Sequence, residues 1–195
     1  DAQWIATLLR AGLLKGSFIP DKTFRELRHL TRYRKSIVRD ITAQKNRIDK
    51  FLQSSGFRFT AFLSDAFGAS GRNIIRHLME YGNISREALD RCLKTQTRKR
   101  IDEILIALNG SLSEHQRGFL RMIFGHLEAL EQHRHTVEDA ITKEITKHEE
   151  ALSLLCSIPG IDVTAAAAII AEIGTDMSAF PDSQHICSWA GLSPG

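Results

Sequence analysis

The chain has few of the residues that mark secreted, metal-stapled or membrane proteins. Its three cysteines, Cys92, Cys156 and Cys187, are odd in number and far apart, which argues against a disulfide framework and fits a reducing cytosol. No zinc spacing occurs; His133 and His135, two residues apart, point in different directions on a helix. No apolar run reaches the roughly 18 residues of a membrane span, and no charged-then-apolar leader is present. Strand-like alternation is nowhere sustained, and Lys and Arg are missing from 154 to 195.

What is present is a globular composition with uneven charge. The 195 residues are 43% hydrophobic, enough for one good core or two small ones, and the formal net charge is only +3. Its distribution says more than its sum. From Arg25 to Lys50 nine basic residues face three acidic ones, whereas from Glu128 to Glu150 seven acidic residues face three basic ones. These two stretches carry opposite sign.

Both stretches read as long helices. Thr23 with Glu26 forms a capping box, and no Pro or Gly interrupts until Gly56. Apolar residues at Phe24, Leu27, Val38, Ile41, Ile48 and Leu52 form an imperfect heptad stripe, with Thr31, Arg34 and Lys45 in its gaps. Such a helix is about 50 Å long. A second is expected from a cap at Ser113 to about Ser157, with Gly118 and Gly125 as weak points. Antiparallel pairing, within the chain or between two chains, would satisfy stripes and charges together. Between them, short elements at 59 to 67, 73 to 81 and from Ser85 to Leu108 predict a small helical tip.

The stretch LLCSIPGIDVTAAAAIIAEIG, residues 154 to 174, predicts helix, tight hairpin, helix. Pro159 ends the first helix, Gly160 permits a sharp reversal, and Thr164 is a candidate cap for the alanine-rich helix that ends at Gly174. The pattern resembles the helix-hairpin-helix of DNA-handling proteins, in which free backbone N–H groups suit a phosphate. That makes Pro159, Gly160, Ile161 and Thr164 candidate nucleic-acid residues. An αα-hairpin that only packs explains the same residues. The other candidates are basic: Arg25, Arg28, Arg32, Lys35 and Arg39 on the first long helix, and Arg98, Lys99 and Arg100 in the tip. Clustered arginine is the footprint of phosphate contact, and equally of solvated charge paired with an acidic helix.

The segments DAQWIATLLRAGLLKGSFIP (1 to 20), SDAFGASGRNIIRHL (64 to 78), LCSIPGIDVTAAAAIIAEIG (155 to 174) and FPDSQHICSWAGLSPG (180 to 195) together resemble the DEDD-type transposases of bacterial insertion sequences, the IS110 group that includes RNA-guided bridge recombinases. The resemblance spans essentially the whole chain. It implies an all-α region organised as residues 1–20, the end of a RuvC-like catalytic domain; 21–150, a coiled-coil linker; and 151–195, the start of a C-terminal transposase domain. It implies DNA and a structured guide RNA as partners, homo-oligomers through coiled-coil helices, no membrane, and a bacterial cytoplasm. Asp1, followed by Ala2 and Trp4, matches the last member of the family's acidic tetrad, which binds Mg²⁺ in the intact enzyme. Gly191, Leu192, Ser193 and Pro194 match the motif that precedes the serine nucleophile, and Ser193 is not that nucleophile. The chain begins at Asp1 and reads as an internal piece, expected to bind and assemble rather than cut. The competing reading is a structural dimerisation scaffold. A repair or helicase accessory domain would explain the hairpin but not the ends.

Overall fold

A computed structural model describes residues 1–14 and 18–192. The fold is all-α, and no strand occurs among the described residues. Packing divides the chain into two compact units, one of residues 1–33 with 138–195 and one of residues 34–137. The long helices α2 (Lys22–Ser54) and α7 (Glu114–Ile145) contribute residues to each.

In the second unit, α2 and α7 run antiparallel. Gln44 meets Ile123, and Phe51 packs edge-on against Phe119 with ring centroids 5.1 Å apart. The buried stripe of α2 differs from expectation by one position. Ile37 is 2% exposed and lines the seam, while Val38 is 36% exposed. Gln44, absent from the apolar stripe because it is polar, is buried with Ile41 and Ile48 on either side. Its amide donates to the Ile123 carbonyl at 2.6 Å. The true spacing Ile37, Ile41, Gln44, Ile48 alternates four, three and four, the heptad rule with one polar member.

The helical tip packs on this seam. After a 3-10 turn at Phe59–Phe62 come α3 (Ala69–Tyr81), α4 (Arg86–Cys92), α5 (Thr95–Arg98) and α6 (Ile101–Ala107). Phe59, Ile74, Ile75, Leu78, Leu89 and Ile104 of these elements are buried, as are Phe57 before them, Ile48 and Leu52 of α2 and Leu120 and Phe124 of α7. Residues 68 to 71, left between the elements expected at 59 to 67 and 73 to 81, are the N-cap and start of α3. Gly71 lies so close to the Ala66 carbonyl that a Cβ would collide with it. Ser85 caps α4 by accepting from the Ala88 N–H at 3.3 Å. The helix expected from Ser85 to Leu108 is broken at Leu93 and Lys94, which are extended. Leu93 is buried there, and the Lys94 N–H donates to the Ser70 hydroxyl at 3.0 Å.

Helix caps also differ. Asp21, rather than Thr23, caps α2 by accepting from the Phe24 N–H at 3.1 Å. At α7 the expected Ser113 cap forms a reciprocal box with Gln116, at 3.3 and 2.9 Å. Neither Gly118 nor Gly125 interrupts α7. The helix expected to reach Ser157 stops at Ile145, passes through a 3-10 turn at Thr146–His148, and resumes as α8 (Glu149–Cys156). His148 leaves helical geometry and packs its ring against Phe24, centroids 4.7 Å apart.

The first unit also holds α1 (Ala2–Arg10), α9 (Val163–Ile173), a 3-10 turn at Met177–Ala179 and α10 (Ser183–Trp189). Ala166, Ala167, Ile170 and Ala171 of α9 are buried, as are Phe24 and Leu27. The small alanines let α9 come close to its neighbours, and Gly174 lies against the Phe24 ring. Phe18, Phe180 and Trp189 form an edge-packed aromatic triad. By contrast α1 has no buried residue; Trp4, Ile5 and Leu9 are exposed.

Candidate nucleic-acid interface

The hairpin lies between α8 and α9. The Ile161 N–H donates to the Ile158 carbonyl at 3.1 Å and closes the turn around Pro159 and Gly160. Gly160 has φ +91°, a left-handed value that explains glycine here, and open space beside it. Pro159 and Gly160 are exposed and Ile161 is half-buried. Thr164 is not the cap. Asp162 is, accepting from the Ala165 N–H at 2.7 Å, which places exposed Thr164 inside the first turn of α9. The N–H groups of Val163 and Thr164 have no acceptor among the described residues. Asp162 nevertheless occupies one donor and brings a negative charge, so a phosphate here requires a cation from another element.

The basic residues of α2 divide by what they touch. In the first unit Arg28 is committed: it donates to the Ala171 and Glu172 carbonyls at 3.3 and 2.9 Å and pairs with the Glu172 carboxylate at 3.0 Å. Those carbonyls lie at the C-terminal end of α9, where a cation is favoured. Arg32 grips the same carboxylate with two bonds, at 2.9 and 3.0 Å. The hydrogen bonds and charge of Glu172 raise its pKa. The partner of these arginines is thus α9, where a single glutamate follows the alanine run. Arg25 is exposed and makes no ion pair or hydrogen bond among the described residues. In the second unit Lys35 and Arg39, one helical turn apart, are likewise exposed and unpartnered among the described residues.

Within the tip, Arg98 pairs with Asp90 at 3.3 Å, and Arg100 holds Glu103 at 2.8 Å while lying over the Phe62 ring. Lys99 is exposed. The acidic residues Glu128 and Glu131 of α7 are met by Arg76 and Arg72 of α3, at 3.0 and 2.6 Å, and both arginines lie over Phe124. Sequence reading missed this layer. The i, i+4 spacing of Arg72 and Arg76 against the three-residue spacing of Glu128 and Glu131 was its available signal.

Asp1 is the N-cap residue of α1, and its side chain does not bond the helix N–H groups. No three His, Cys, Asp or Glu side chains among the described residues converge as metal ligands. A single carboxylate does not fit Mg²⁺, which demands several oxygens in near-octahedral array. At the other end Gly191 and Leu192 are exposed, and Ser193 and Pro194 lie outside the described residues.

Comparison with known families gives two matches. A DEDD transposase model from IS110 elements, described as a transposase, matches residues 1–56. A second model, the transposase IS116/IS110/IS902 family, matches residues 152–195. The two matches fall at the two ends of one chain. The chain belongs to the IS110 transposase family. The hairpin lies inside the second match, and α1 with the basic part of α2 lies inside the first. No curated protein and no solved structure matches this IS110-family chain. No helix among its described residues is long and apolar enough to cross a membrane.

Proposed function

We propose that this part of an IS110-family transposase binds DNA during transposition, with contact made by the hairpin at Pro159, Gly160 and Ile161 and by cations that no carboxylate occupies. The observation that carries this reading is the division within the basic stripe. Arg28 and Arg32 are spent on Glu172, whereas Arg25, Lys35 and Arg39 project into solvent without partners among the described residues. Lys99 adds a cation in the tip, with Arg98 and Arg100 available only by exchanging Asp90 and Glu103 for phosphate.

Guide RNA is a second nucleic-acid partner consistent with the same cations, since phosphate contacts carry no sequence. We also propose the three-part organisation at 1–20, 21–150 and 151–195 as the functional one, with the residues before 21 and after 150 belonging to catalytic domains. In the intact family enzyme Asp1 would be one of several carboxylates toward Mg²⁺, which alone it does not fit, and no cutting step is assigned to this chain. Self-association would use surface outside the filled α2 and α7 seam of the second unit; exposed Trp4, Ile5 and Leu9 offer such surface.

The scaffold reading is favoured by one observation: Arg72, Arg76, Arg28 and Arg32 all pair internally. Binding of a labelled duplex at ~50 mM and ~200 mM salt separates the two. Phosphate contact weakens steeply over that range. A chain that self-associates yet leaves the duplex free at both salts is a scaffold.

A further inference from the structure

In the second unit, the end of α3, the turn after it and α4 border an open polar cleft lined by His77, Glu80, Tyr81, Asn83, Ser85 and Arg91. None of the nucleic-acid candidates named above lines it. Tyr81 is 59% exposed although aromatic, and the His77 ring lies beside it with centroids 4.6 Å apart and planes tilted by 35°. One face of the phenol is therefore supported while much of the side chain stays open. Arg91 is exposed and makes no ion pair or hydrogen bond among the described residues.

We infer that this cleft seats one unpaired nucleotide of a single strand, its base stacked on Tyr81 and its phosphate against Arg91. The inference rests on the nucleic-acid reading above and adds a class of ligand to it. Aromatic faces accept any base, and an adjacent arginine supplies the backbone contact, the combination that holds single strands without reading sequence. Burial, with help from Arg91 and against Glu80, lowers the His77 pKa, so the imidazole is a neutral support rather than a second cation. Glu80 raises the Tyr81 phenol pKa by hydrogen bonding and charge. Its carboxylate repels a phosphate on that side and leaves Arg91 as the anion end. Ser85 is already committed, its oxygen accepting from the Ala88 N–H and its O–H donating to the Glu87 carboxylate, so it shapes the cleft wall without contacting the ligand. Asn83 offers both a donor and an acceptor to a base edge or sugar. A duplex, whose bases are stacked on each other, cannot present a free face to Tyr81.

The test uses the full chain with short single-stranded RNA and DNA oligonucleotides carrying 2-aminopurine, beside a duplex of the same sequence. Tyr81→Ala should lower single-strand affinity about tenfold, within the range stacking supplies per base, and abolish the quenching of 2-aminopurine. Tyr81→Phe should keep both. Arg91→Gln should reduce the salt slope for single strands by about 0.7. Duplex affinity should be unchanged in all three variants, and the preference between RNA and DNA identifies the strand. Unchanged single-strand affinity and quenching in Tyr81→Ala, with duplex binding intact, overturns the cleft and leaves the DNA-binding proposal standing. A wild-type chain that binds neither duplex nor single strand overturns both.

Discussion

Arg28 and Arg32 bind one glutamate, yet their replacement should have unequal consequences. The Arg28 side chain is 18% exposed and satisfies two carbonyls at the end of α9 besides pairing with Glu172. Arg28→Ala removes these charge-assisted hydrogen bonds, each worth about 1.5 to 3 kcal/mol where water cannot substitute. Because some water does enter at this exposure, we expect a loss of about 2 to 3 kcal/mol. Arg32 is 65% exposed and touches only the carboxylate. Its pair belongs with surface ion pairs, which contribute less than about 1 kcal/mol. Urea unfolding followed by tryptophan fluorescence measures both, because Trp189 packs against Phe18 and Phe180 in the same unit. In ~1 M NaCl, where screening acts within about 3 Å, the Arg32→Ala difference should vanish and most of the Arg28→Ala difference persist. Equal losses for the two variants, or a larger one for Arg32→Ala, would refute the argument that burial and the α9 carbonyls decide the outcome.

Gln44→Ala should destabilise the second unit by about 1 to 3 kcal/mol, because the Ile123 carbonyl and the Arg47 guanidinium each lose a partner; chemical denaturation checks it. Gly71→Ala should abolish cooperative folding of that unit because its Cβ meets backbone, whereas Gly125→Ala, in an exposed helix position with open space around it, should stabilise by up to about 1 kcal/mol; thermal melts by circular dichroism distinguish them. Asp182 caps α10, and its hydrogen bonds to His185, side chain first, lower its pKa below the ordinary 3.8. A depressed carboxylate pKa contributes stability that is present above 3.8 and lost as pH falls through the lowered value, so Asp182→Ala should shrink the acid-induced change in Trp189 fluorescence.

The two long helices and the hairpin were legible because each depends on local signals: an uninterrupted apolar repeat, a cap, and a Pro-Gly reversal. Gln44 was not, since a polar residue in a seam is justified by the partners folding gives its amide, the Ile123 carbonyl 79 residues away in sequence and the Arg47 guanidinium. Two caps shifted by two residues for a similar reason. Asp21, Thr23, Asp162 and Thr164 can all cap, and the neighbouring packing of Phe24 and the α9 alanines selects the aspartates. The basic stripe showed where cations lie but not which were spent. That depended on Glu172, brought to Arg28 and Arg32 only by folding of the first unit. The cleft around Tyr81 left almost no trace, because its residues are ordinary one by one and gain meaning from the supporting His77 ring.

The most direct test of the DNA-binding account is the slope of log affinity against log salt for a duplex. We would compare the wild type with Arg25→Ala/Lys35→Ala/Arg39→Ala. Each phosphate contact contributes about 0.9 to that slope, so the triple variant should lose about 2.7 of it while unfolding at the same urea concentration as the wild type. An unchanged slope in a folded triple variant would contradict the account and leave these cations as solvated charge.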